Sequence, residues 1–215
     1  MDVYNFWMMN LYLLIAITSL AICIVNCSFH FVRLLQLGRP RDLSKQRGDI
    51  GPTIMYSFTG AMDPRKKESA FLHLPTYSAG IIYHLGTFLS FALFILFLFK
   101  TEPHGWLRWL IIGFLMISCI SGLAILIKRV IKNELRSLSN PDDYISNLLV
   151  TIVQFFTAFA LYNPLAFPVY FILVSVLLLY LPIGKLKHTI FFFAARYQLG
   201  VFYGWRGVWP PNNTK

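Results

Sequence analysis

An all-α integral membrane protein of five crossing helices is predicted by three features of this sequence. Of its 215 residues 57% are hydrophobic and only 13% charged, against about 25% charged in a soluble domain, and the mean hydropathy is +0.61. The apolar residues gather in long uncharged runs, near or above the roughly 20 residues that a bilayer crossing takes. The basic residues are divided very unevenly among the connections between those runs. The length allows one compact helical bundle, a single membrane domain over residues 1–215, and little else.

The first run covers about residues 6–32. Asp2 is the only charge before Arg33, so the basic leader and small-residue cleavage site of a signal peptide are missing, and a retained helix is expected. Residues 34–72 form the one sizeable connection, punctuated by Gly38, Pro40, Gly48, Gly51, Pro52, Gly60 and Pro64. It is too small for a catalytic domain and reads as an interfacial loop or docking surface. The second run is 74–99 and the third 109–127. An uncharged stretch from 144 to 184 is too long for a single crossing. Asn163, Pro164 and Pro168 mark a turn within it, which gives a fourth helix at 144–162, a fifth at 166–188 and a cytoplasmic tail at 189–215.

The basic residues orient these spans. Of 19 Lys and Arg, eight lie between spans one and two, four between three and four (Lys128, Arg129, Lys132, Arg136) and five after span five. Only Lys100 and Arg108 fall on the other side. The positive-inside rule predicts an outside N-terminus and a cytoplasmic C-terminus. Under this topology the net charge of +10 follows from membrane orientation, and no nucleic-acid partner is implied. Trp106, Trp109, Trp205 and Trp209 sit at or beyond helix ends, as an aromatic belt requires.

Cys23, Cys27 and Cys119 show no CxxC and no zinc spacing, which argues against an iron–sulfur cluster held by this chain. No nucleotide loop, nucleophile motif or metal-hydrolase motif is present. The informative polar residue is His84, an imidazole within the second span, where an ionisable group is costly and its default reading is functional. His188 stands at the end of the fifth. Under the predicted topology both lie toward the cytoplasmic face, and two imidazoles on two membrane helices can supply the axial nitrogens of a b-type haem. The alternatives are a packed, hydrogen-bonded imidazole for His84 and an interfacial histidine beside Lys185 and Lys187 for His188. His73 lies eleven residues before His84, close to the same helical face; it is an interfacial histidine before Pro75, a rival ligand or a quinone contact. His30 and His104 are weaker candidates. Arg33 and Arg129 end helices on the haem side, where a guanidinium could hold a haem propionate or simply anchor the helix.

The stretch CISGLAILIKRVIKNELRSLSNPDDYISNLLVTIVQ (119–154) is similar to helices three and four of the gamma subunit of respiratory nitrate reductase. YLPIGKLKHTIFFFAARYQLG (180–200) resembles the end of that family's fifth helix, and GVFYGWRGVWPP (200–211) the membrane cytochrome b subunits of heterodisulfide-reductase-like complexes. The nitrate reductase subunit carries two haems b, held by two histidines on helix two about ten residues apart and two on helix five about eighteen apart. Carried onto this chain, the cytoplasm-proximal ligands fall on His84 and His188. The distal pair falls on Phe94 and Tyr170, neither a usual iron ligand. The resemblance therefore implies one haem b, with aromatic side chains in part of the vacated volume. It also implies exchange of electrons between quinone and an iron–sulfur subunit docked on the cytoplasmic side of the inner membrane, with further membrane subunits as additional partners. The contrasting expectation is a haem-free anchor or small transporter subunit, although no internal repeat of the kind many transporters carry is visible.

Overall fold

The structure is a computed structural model that describes residues 3–37, 42–63 and 73–211, with side chains from Asn10 onward. Arg39, Arg41, Arg65, Lys66, Lys67 and Lys215 of the charge count lie outside the described residues. Among the described residues the chain is helical throughout, with no strand. The helices are α1 (Val3–Leu37), α2 (Ile50–Phe58), α3 (Leu74–Leu98), α4 (Gly105–Ile131), α5 (Asn133–Ser137), α6 (Pro141–Tyr162), α7 (Phe167–Tyr180) and α8 (His188–Trp205). Helices suit a hydrocarbon solvent because every backbone group finds its partner within the segment.

Four helices are long and apolar enough to cross a membrane: Asn10–Leu37, Leu74–Leu98, Gly105–Ile131 and Pro141–Tyr162. By length and composition a fifth is reached when Pro164–Tyr180 and Lys185–Trp205 are counted as one interrupted span. The expected fifth helix over 166–188 is thus corrected: α7 stops at Tyr180. Pro182 has no N–H to continue the ladder, and the N–H groups of Ile183 and Gly184 both donate back to the Tyr180 carbonyl (3.0 and 2.8 Å). The Tyr180 ring folds over Gly184, where a Cβ would come within 2.4 Å of Cζ. Most of the expected tail is helical, as α8.

The fourth span begins as its sequence dictates. The Asn140 side chain accepts from the Asp143 N–H (3.1 Å), the Asp143 carboxylate accepts from the Asn140 N–H (3.0 Å), and Pro141 takes the first helical position; this is a reciprocal capping box. At the other end Arg108 donates to the Leu161 and Tyr162 carbonyls, satisfying acceptors that the end of α6 leaves open. The Asn163 side chain accepts from the Leu165 N–H (3.1 Å), making the turn that Asn163 and Pro164 predict.

Contacts divide the chain into two units, Met1–Ile24 with Pro75–Leu186, and Val25–Leu74 with Lys187–Lys215. In the first, α4 packs on α6 and α6 on α7. Leu93, Phe94, Leu115, Leu161, Tyr170, Val174 and Leu177 are fully enclosed in its core. Phe97 meets Phe167 and Tyr170 edge-on, with centroids 5.1 and 5.5 Å apart, a favoured aromatic geometry. From α1 a stripe of small residues, Ala16, Ser19 and Cys23, is buried. In the second unit α2 packs on α8. A Cβ on Gly200 would lie 2.6 Å from the Ile54 Cα, and one on Gly204 2.9 Å from the Ile50 Cα. These two glycines, one turn apart, let the helix backbones touch. The Ser57 hydroxyl donates to the Arg196 carbonyl (2.7 Å) and the Thr53 hydroxyl to the Trp209 carbonyl (2.8 Å).

Candidate functional site

The site is built outward from the polar seam that sets how α3 is turned. Gln154 on α6 is completely enclosed. Its amide donates to the Tyr83 carbonyl (3.0 Å) and the Thr87 hydroxyl (2.8 Å), and its carbonyl accepts from Ser118 on α4 (2.8 Å). The Tyr83 hydroxyl donates to the Asn147 carbonyl (2.9 Å) and lies 3.1 Å from the Thr151 hydroxyl. Two glycines permit this closeness. A Cβ on Gly86 would strike Ser118, and one on Gly122 would strike the Tyr83 ring. Every one of these bonds replaces a solvation that hydrocarbon cannot offer.

With Tyr83 and Gly86 locked inward, His84 is carried to the exposed side of α3. Its Nδ1 lies 2.7 Å from the Gly80 carbonyl oxygen. A carbonyl only accepts, so Nδ1 is the donor of this contact, and the matching imidazole tautomer has its lone pair on Nε2. This is how a metal-ligating imidazole is commonly oriented by its backbone. Nothing lies within 4 Å of the place a Cβ would occupy on Gly80, one turn away. An exposed imidazole with an available Nε2, beside an open glycine position, fits a flat iron macrocycle, which needs at most two protein ligands. Among the described residues no group of three or more His, Cys, Asp or Glu gathers as a protein-only metal site would.

The other candidates are placed as follows. His188 is the first residue of α8, exposed, and belongs to the second unit, whereas His84 belongs to the first. His73 is an exposed turn residue just before α3. His30 stands edge-on to Phe29 (centroids 6.1 Å), and His104 is the exposed N-cap of α4. Arg33 is exposed near the end of α1. Arg129 is already engaged: its guanidinium lies 3.5 Å from the Asp143 carboxylate and donates to the Ser139 hydroxyl (3.0 Å). Lys185 pairs with the same carboxylate, which is only 3% exposed. A propionate contact at Arg129 would require it to leave that cluster. Phe94 and Tyr170, on which the resemblance would place a second ligand pair, are both completely enclosed in the first unit.

Sequence reasoning missed the seam residues Ser118, Thr87, Tyr83 and Thr151. The available signal was the pair Gly86 and Gly122, small residues inside crossing helices. Comparison with protein-family models, curated proteins and solved structures finds no match for this chain.

Proposed function

We propose that this chain is a haem b-bearing membrane subunit of a quinone-linked redox complex. The observation that carries the reading is the placement of His84: exposed on an apolar helix, with its Nδ1 on the Gly80 carbonyl, an arrangement that leaves Nε2 for a ligand. The motifs at 119–154 and 180–211, similar to the nitrate reductase gamma subunit and its relatives, support the same class. His84 is the proposed axial ligand, and the second is the one the resemblance implies, His188.

A bis-imidazole haem supplies a one-electron carrier with both axial positions filled, which favours electron transfer over oxygen binding. The protein's part is orientation and exclusion of water. The Gln154–Ser118–Thr87 seam fixes the rotation of α3, and the Gly80 carbonyl orients the His84 ring. In the proposed topology five spans place the N-terminus outside and the C-terminus in the cytoplasm of a bacterial or archaeal inner membrane, following the Lys and Arg distribution. The quinone exchanges electrons in the cytoplasmic half of the bilayer, and an iron–sulfur subunit docks on the basic cytoplasmic side.

The test is a reduced-minus-oxidised spectrum of the full chain purified from cells supplied with haem. A b-type alpha band is expected. Its absence would leave a haem-free anchor and end this reading.

A further inference from the structure

Helix α8 has two faces of different character. Ile190, Ala194, Gly200 and Gly204 are buried, and the two glycines close on α2. On the opposite side Phe191, Ala195, Leu199 and Phe202 recur at intervals of four, four and three residues, which is one helical stripe. All four are exposed, with Phe192 beside them. Cations border this stripe. The Arg196 guanidinium lies 5.6 Å from the Phe192 centroid and that of Arg206 3.7 Å from the Phe202 centroid. Lys187 immediately precedes the helix, and from Lys185 to Lys215 there is no acidic residue. Only residues 181–187 separate α8 from the wholly apolar α7, so a membrane-embedded α7 delivers α8 to the bilayer boundary.

We propose that α8 lies in the plane of the membrane surface, seating its Phe191–Ala195–Leu199–Phe202 stripe in the headgroup–acyl boundary of an anionic phospholipid bilayer. An apolar stripe flanked by Lys and Arg is the pattern of helices that lie in this layer, at a depth of about 5–10 Å. Basic side chains near the surface favour acidic headgroups by about 1 kcal/mol each. The charge selects lipid over an ordinary protein partner: Lys187 just before α8 and Arg196 within it are cations with no acidic residue in the helix, Arg196 lies against the Phe192 ring, and of these described cations only Arg206 is ion-paired, with Asp42. The proposal rests on the multi-pass reading with Pro164–Tyr180, rather than the bent pair, as the fifth crossing, and is independent of haem.

The test uses the full chain in nanodiscs of phosphatidylcholine with a minor share of phosphatidylglycerol. The photoreactive residue benzoylphenylalanine replaces Phe191 in one variant and Phe202 in another; both side chains are exposed, so the fold is kept. Irradiation is expected to give phospholipid adducts at both positions, attached to the glycerol-proximal part of the acyl chain. The phosphatidylglycerol share of the adducts should exceed its share of the bilayer by about twofold. Lys187→Gln combined with Arg196→Gln should return that share to the bulk composition. Adducts at the acyl methyl ends would mark a crossing helix, an absence of lipid adducts a water-exposed one, and protein adducts in native membranes a subunit interface. Each of these results, or a phosphatidylglycerol share equal to bulk in the unaltered chain, overturns the proposal. The optical spectrum reports separately on haem, so failure of one reading leaves the other standing.

Discussion

At the residue scale the account turns on one imidazole and the backbone oxygen that orients it. His84→Ala and His188→Ala are each expected to abolish the b-type alpha band in protein that is still membrane-inserted and monodisperse. A surviving bis-histidine spectrum would reassign the ligand, first to His73. Gly80→Leu is a sharper probe. Its side chain would enter open space in the chain itself, so folding should be unchanged while haem occupancy falls at least tenfold, measured as haem per chain. His84 was legible because a histidine in hydrocarbon stands out from its neighbours. The Gly80 contact was not, since it depends on a side-chain rotamer. Arg129 shows the opposite case. Its position at a helix end suggested an anionic ligand, but the turn through α5 returns the chain so that Asp143, fourteen residues on, reaches it first. Asp42 supplies a pH-dependent tie in the second unit. Hydrogen bonds from Ser44, then the Arg206 guanidinium, hold its carboxyl below the ordinary value of 3.8. That contribution is present above the ordinary carboxylate range and lost as pH falls through the lower folded value.

At the element scale, close approach between helices is the recurring device. Gly86→Ala places a methyl where Ser118 stands, since a Cβ there lies 2.0 Å from its Oγ. It should destabilise the first unit by about 1–3 kcal/mol, the usual cost of overpacking, read from unfolding in mild detergent. Gln154→Leu removes three hydrogen bonds at once. With interhelical bonds in membranes averaging about 0.6 kcal/mol, a loss of about 1–2 kcal/mol is expected, and a double-mutant cycle with Ser118→Ala should show coupling. In the second unit Gly200→Leu should separate α2 from α8, seen as faster amide exchange across residues 50–58. Uncharged runs and proline turns made α3, α4 and α6 readable, because a bilayer allows few alternatives. Helix α8 was missed for a physical reason. Its aromatic stripe is broken up by Arg196 and Gln198, so it lacks the uncharged length of a crossing helix, and the end of α7 at Pro182 shows only as one proline within a continuous apolar run.

At the scale of the whole molecule, the charge distribution and the exposed apolar surface tell one story. Val25 and Phe29, one turn apart on α1, are 68% and 63% exposed; apolar surface of this kind belongs to lipid or to neighbouring subunits. Seventeen of the 19 basic residues fall on the side assigned to the cytoplasm. A protease-accessible tag after Lys215 should therefore be cleaved in inverted vesicles and protected in intact spheroplasts. The proposed single haem near the cytoplasm would limit electron transfer to that half of the bilayer, so a labelled quinone should bind there; labelling confined to the outer face, with electron transfer intact, would refute this. Phe94 and Tyr170 bear on the haem count. Where a second ligand pair would stand, two aromatic rings are enclosed in the core of the first unit, and the proposal follows them in assigning one site. Haem stoichiometry per chain, measured on the purified, haem-supplied protein, tests this most directly. The account predicts one haem, and a value of two, or of none, would contradict it.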